Sequence, residues 1–212
     1  MRLTLLKKIV GIIFVAVILV GGGNYLSSRY FLNNTLDEQN AKEIAIRADL
    51  VAAQFEEQKK SLSASGFLMA TNPQVAGKIA EGDTAWLQAY AKKVMAETGV
   101  ESITISDREG MCLARGHSDK TGDSVASQVN VQKALKGETS VGVEQGTVVK
   151  FSLRAGYPVK KGNEVIGVIT PGFTLSSDRF VDQIKKNLGL ECTVFQADMR
   201  ISTTIMKEGT RA

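Results

Sequence analysis

Val148-Val149-Lys150-Phe151-Ser152-Leu153-Arg154-Ala155-Gly156-Tyr157-Pro158 alternates along its length. Val149, Phe151, Leu153 and Ala155 fall on one face of an extended strand. Val148, Lys150, Ser152 and Arg154 fall on the other, because strand side chains have a period of two. The first face belongs to a core. The second lines up an ammonium, a hydroxyl and a guanidinium, a set that suits a carboxylate: the guanidinium offers a bidentate fork and the other two add single donors. An antiparallel strand with one solvated face has the same pattern. On this strand alone both readings stay open.

Outward from this stretch the chain reads as hairpins. Residues 160–163 turn, and 164–175 form a strand bent near its end by Pro171-Gly172. Upstream, Glu144-Gln145-Gly146 turns out of a strand over 139–143, and 130–136 is a short helix stopped by Gly137. Residues 116–127 are polar and loop-like. Strands over 102–106 and 111–115 flank the turn Asp107-Arg108-Glu109-Gly110. Before them, Asp83 or Thr84 caps a helix whose apolar stripe is Trp86, Leu87, Tyr90, Val94 and Met95, ended by Gly99. Trp86 and Tyr90 read as core rather than as a ligand clamp. After the hairpins, Ser176 or Ser177 caps an amphipathic helix carrying Phe180, Val181, Ile184 and Leu188. The strand–acidic turn–strand device of 103–113 returns at 193–203. That weak echo places the start of a second module, cut off at Ala212, near Leu190.

The N-terminal part has a different character. Arg2, Lys7 and Lys8 precede Ile9 to Val20, apolar but for Gly11, and the run extends to the length a bilayer core needs. Its basic flank places that end in the cytoplasm and the rest outside. With no Ala-x-Ala pattern, an uncleaved anchor fits better than a signal peptide. From 33 to 71 there is no proline and Gly66 is the one glycine. Ile44, Ala48, Val51, Phe55, Leu62 and Met69 form a heptad-like stripe, with polar Gln58 and Ser65 at two seam positions. Such a stripe serves packing on its own domain, pairing with a second copy as a homodimer, or both. Asn72-Pro73 ends this long helix.

Composition narrows the function classes. The chain has 212 residues, 43% hydrophobic and 23% charged, with 26 basic and 22 acidic side chains. Arg2, Lys7, Lys8 and Arg29 are the charged residues before Tyr30, so the remainder is electroneutral and carries no sequence-wide basic patch for nucleic acid. Cys112 and Cys192 lie far apart in separate strand-like runs and read as unpaired thiols, not a disulfide framework. His117 is the one histidine. No metal-ligand spacing and no cofactor motif stands out. His117, Ser118 and Asp119 are adjacent, which denies them the mutual geometry of a triad, and there is no Gly-x-Ser-x-Gly elbow; the chain is not read as an enzyme.

An ordered set of short motifs then carries a resemblance. Arg115-Gly116-His117, Gly122-Asp123-Ser124, Ala134-Leu135-Lys136-Gly137-Glu138, Phe151-Ser152-Leu153-Arg154, Pro158-Val159 and Val165-Ile166-Gly167-Val168-Ile169-Thr170-Pro171-Gly172-Phe173 follow one another. The set, close over about a third of the chain, resembles the extracytoplasmic PAS-like Cache sensor domains. The branch is that of citrate and C4-dicarboxylate sensor kinases and methyl-accepting chemotaxis receptors. The resemblance implies an α+β fold: an N-terminal transmembrane helix running into a long juxtamembrane helix, then a PAS-like antiparallel sheet flanked by helices. It implies ligand-binding roles for Arg115, His117, Ser152, Arg154 and Thr170, with Lys150 added by the strand pattern. One residue separates Arg115 from His117, where the family often has two. The lysine that citrate sensors carry two positions past the arginine is Gly156 here, which argues against citrate itself.

The expected organisation is a cytoplasmic terminus over 1–8, a transmembrane helix over 9–27, a long extracytoplasmic helix over 28–72, a Cache domain over 73–189 and the start of a further module over 190–212. The expected function is that of a sensor in the cytoplasmic membrane, binding a small organic anion for chemotaxis or two-component signalling, as the N-terminal piece of a receptor. The competing reading is an anchored assembly protein without a ligand.

Overall fold

The computed structural model describes residues 2–146, 148–149 and 151–211. The chain divides into two compact units, the first ending at Leu50 and the second beginning at Val51. Helix α1, Arg2–Ala70, contributes to both. In the first unit it is helical throughout and exposes Ile12, Phe14, Val17 and Leu19 along a run long and apolar enough to cross a membrane.

The second unit is α+β. Its remaining elements are α2 (Pro73–Glu81), α3 (Thr84–Thr98), β1 (Ser102–Asp107), β2 (Cys112–Arg115), α4 (Val129–Leu135), β3 (Ser140–Glu144), β4 (Ser152–Lys161), β5 (Glu164–Thr174) and α5 (Asp178–Leu188). Two small hairpins follow: β6 (Thr193–Gln196) with β7 (Met199–Thr203), then β8 (Met206–Lys207) with β9 (Thr210–Arg211). Strands β1 to β5 form one antiparallel sheet in the order β2-β1-β5-β4-β3.

Local chemistry explains the element boundaries. Asn72 Oδ1 accepts from the Gln74 N–H at 2.9 Å and Pro73 opens α2, while Asp83 Oδ1 accepts from the Trp86 N–H at 3.1 Å to open α3. At the β1–β2 turn Asp107 Oδ1 accepts from the N–H groups of Glu109 and Met111.

The main core lies on one face of the sheet. Ile103, Ile105, Leu153, Ala155 and Ile169 point into it from the strands. Leu62 and Met69 of α1, Val75 and Ile79 of α2, Leu87 and Ala91 of α3, and Val181 and Ile184 of α5 close over them. The stripe from Val51 through Phe55 and Leu62 to Met69 thus packs on its own domain. Ser65 sits in that seam with its hydroxyl donating to the Ser61 carbonyl. Trp86 and Tyr90 stack at 5.0 Å and pack against this core. Cys112 and Cys192 are both free; Cys112 is buried and Cys192 half-buried.

One boundary differs from the sequence reading. The alternation predicts strand from Val148, whereas β4 begins at Ser152. The Val149 carbonyl accepts from both the Gly146 N–H, at 3.1 Å, and Arg154 Nη2, at 2.7 Å. Those two bonds turn the segment back over the guanidinium instead of letting it extend. Lys150 lies outside the described residues.

Candidate functional site: a polar sheet face under α4

Antiparallel partners share a face, so the register identifies what lies opposite the main core. Arg115 pairs with Thr104, Thr104 with Thr170, Ser102 with Gly172, and Gly172 with Arg154. On the outer side, Arg154 pairs with Gly142, Ser152 with Glu144, and Gly156 with Ser140. One sheet face therefore carries Arg115, Thr104, Thr170, Ser152 and Arg154. His117 follows two residues after Arg115. The structure brings five of the sequence-expected residues to one side of the sheet: Arg115, His117, Ser152, Arg154 and Thr170.

Helix α4 and the loop before it cover that face. Val125, Val131, Ala134 and Val168 make a small second core that pins them down. Glu144 of β3 accepts from the Val129 and Asn130 backbone N–H groups at 3.2 and 2.9 Å, tying the start of α4 to the sheet. Close approach needs Gly156: a Cβ there would lie 2.3 Å from the Asn130 carbonyl oxygen. Backbone cannot move aside as a side chain can. Gly156→Ala is expected to destabilise the fold by about 1–3 kcal/mol, read as a lowered urea midpoint.

The two arginines differ in their partners. Arg115 is 1% exposed. It forms a bidentate pair with Asp123, Nη1–Oδ1 2.7 Å and Nη2–Oδ2 3.0 Å, and also donates to the Lys120 carbonyl. The hydrogen bond from Arg115 holds the Asp123 carboxyl down at a pKa of about 2. Arg115 thus clasps the covering loop.

Arg154 is 6% exposed and meets neutral groups. Its Nε donates to Ser152 Oγ at 2.6 Å, Nη1 to Gln128 Oε1 at 2.8 Å and Nη2 to the Val149 carbonyl. No carboxylate of the described residues forms an ion pair with it. Burial lowers its pKa; the Glu144 carboxylate works against that and the charge of Arg115 with it. A guanidinium has five N–H groups, so two remain, one on each terminal nitrogen, for a further acceptor. The Gly146 backbone lies so close that a Cβ there would overlap the guanidinium.

His117 is half-buried, with Nδ1 buried and unpartnered. Burial first, then the charges of Arg115 and Arg154, push its pKa below the ordinary value, favouring the neutral ring at neutral pH. Asn130, 1% exposed, has neither side-chain polar atom bonded, and Ser140 Oγ is likewise unpartnered. Gln128 and Asn130 escape sequence reading: both arrive from a loop and a seven-residue helix with no strand-like period. Asp123 stood in a quoted motif, but nothing local paired it with Arg115.

The face thus offers one buried cation that forms no ion pair among the described residues and is hydrogen-bonded by neutral groups, with the Glu144 carboxylate acting on it only from a distance. It can take a small anion.

A single antiparallel sheet, helix-packed on one face and covered by α4 over a polar face on the other, is a layout that sensory domains share, and the family match bears it out. Residues 38–212 match the family model dCache_3, described as the double sensory domain of two-component sensor kinase, and the chain belongs to that family. Solved structures share the fold. The E. coli DcuS sensor domain aligns with a TM-score of 0.54 at 22% identity, over 61% of this chain and 96% of that one. The sensor domain of the V. cholerae histidine kinase DctB aligns at 0.61 and 16%, over 68% of this chain and 58% of that one. The ligand-binding domain of the Campylobacter jejuni chemoreceptor Tlp3, in complex with L-valine, aligns at 0.53 and 15%, over 75% and 67%. No curated protein matches the chain.

Proposed function

We propose that this chain is a membrane-anchored sensory domain that binds a small organic anion outside the cytoplasm and serves chemotaxis or two-component signalling. The observation that carries the reading is Arg154, a buried guanidinium whose hydrogen-bond partners among the described residues are all neutral. A buried charge is costly until a counter-charge joins it. A carboxylate on the two remaining N–H groups would add charge-assisted bonds worth about 1.5–3 kcal/mol each. Ser152, Thr170 and His117 stand on the same side to orient the ligand, and Lys150 is proposed to add charge from the segment before β4. Tlp3, which shares the fold, is solved with L-valine and with L-norvaline, acids of the size this reading calls for.

The apolar run of α1 is proposed as the anchor, and the exposed face around Ile44 as the surface where a second copy pairs. The β6–β7 hairpin is proposed to open a second sensory module, in keeping with the family's double domain.

A thermal-shift panel of small carboxylates tests the reading. At a concentration near a hundred times Kd, a bound acid stabilises by about 2.7 kcal/mol, roughly 5–10 °C for a chain of this size. A folded chain that no acid stabilises would favour the assembly role instead.

A further inference from the structure

Asn130 is a buried amide with nothing to do. It is 1% exposed, and neither its Nδ2 nor its Oδ1 has a hydrogen-bond partner. Leaving such a group unbonded is costly, so the position implies an occupant that bonds it. The backbone of Asn130 sits directly on Gly156: a Cβ at Gly156 would come 2.3 Å from the Asn130 carbonyl oxygen and 3.1 Å from its Cβ. Gly156 stands two residues beyond Arg154 on the same face of β4, about 7 Å along the strand. Gln128, two residues before Asn130, bonds Arg154 itself. The amide and the guanidinium are therefore brought to the same side of the sheet, close together beneath α4.

Two further orphans lie on the same side of the sheet. Ser140 pairs with Gly156 across β3–β4 and leaves its Oγ unpartnered. His117 Nδ1 is buried and unpartnered on the β2 side. All three are neutral groups that offer both donors and acceptors, or one of each. The acidic side chains nearby are taken: Asp123 by Arg115, Glu144 by two backbone N–H groups of α4. An ammonium entering beside Arg154 would stand next to a buried guanidinium, with Asp123 already paired to Arg115 and Glu144 already holding the start of α4.

We infer that Asn130 discriminates among the acids held by Arg154, selecting one with a hydroxyl or carbonyl beside its carboxylate over the same acid with hydrogen or an ammonium there. This rests on the proposed binding of an organic anion at Arg154. A hydroxyl both donates and accepts, which an amide matches atom for atom. An ammonium only donates and adds a second positive charge next to the guanidinium.

Titration calorimetry on the full chain in detergent tests this with two matched sets: propionate, lactate and alanine; succinate, malate and aspartate. Lactate or malate is expected to bind about tenfold or more tighter than its unsubstituted partner, as one satisfied buried polar group implies. The amino acid of the set binds more weakly than the hydroxy acid. Asn130→Ala keeps the Cβ that rests on Gly156, so the fold is retained. In that variant the hydroxy acid falls to the affinity of the unsubstituted acid, which itself is unchanged; Asn130→Ser restores part of the preference. An undiminished preference in Asn130→Ala would overturn the inference. So would equal binding of propionate and lactate, or of succinate and malate, with the anion site itself left standing. Binding of none of the six would sink both.

Discussion

Arg154→Ala is expected to abolish stabilisation by every small carboxylate while the domain stays folded. Truncating one partner of a buried, hydrogen-bonded charge pair costs about 2–5 kcal/mol of binding, so affinity falls by about thirtyfold or more. The ligand-free protein loses far less. The variant orphans Ser152 Oγ and Gln128 Oε1 and leaves the Val149 carbonyl with the Gly146 N–H alone, yet it also removes a buried cation that forms no ion pair among the described residues. These two effects oppose each other. Arg154→Lys is expected to recover little, because an ammonium cannot present the fork. Calorimetry and a melting curve on the same samples separate the two quantities. An unchanged ligand response in Arg154→Ala would remove this residue from the site.

Asp123→Asn is expected to do the reverse: a large loss of stability. It keeps the shape of the side chain and removes the charge that neutralises Arg115, whose side chain is 2% exposed. Breaking a buried pair, or losing a carboxyl pKa lowered from 3.8 to about 2, is worth about 2–3 kcal/mol. The melting midpoint should fall by roughly 5–10 °C. The pH dependence has a definite sign. A carboxyl whose folded pKa lies below its unfolded value stabilises fully above 3.8 and loses that contribution as pH falls toward about 2. Denaturant midpoints of wild type and Asp123→Asn should therefore stand apart at pH 7 and draw together below pH 4. A constant gap across that range would mean that charge is not what Asp123 supplies.

Much of this architecture was legible because it is periodic or capped. The alternation that placed Ser152 and Arg154 together needed no partner strand to be read, and Asp83 announces its helix with a single side chain; Asn72-Pro73, read only as the end of the long helix, also caps and opens α2. The stripe through Val51, Phe55, Leu62 and Met69 was equally visible as a burial pattern. The misplaced start of β4 shows where periodicity fails. Phe151 keeps the rhythm and is packed against the core, but the carbonyl of Val149, two residues earlier, is claimed by Arg154, a decision made by a guanidinium five residues downstream of Val149.

The covering groups were illegible for a different reason. Gln128 meets Arg154 across 26 residues, and Asn130 meets Gly156 only once α4 has folded onto the sheet. Nothing near them in sequence marks them as more than loop and helix. The pairing of Arg115 with Asp123 was likewise hidden, since a loop spacing of eight residues has no fixed geometry.

Tyr157 lies three residues beyond Arg154 on the opposite side of β4, paired with the core residue Ile169. Its ring fills the notch that Gly66 leaves in α1, so tightly that a Cβ at Gly66 would come within 2.4 Å of Cδ2. One short, stiff length of strand thus bears a handle on one side and a tooth on the other. A Cβ placed at Gly66 would therefore press on the very strand that carries the guanidinium.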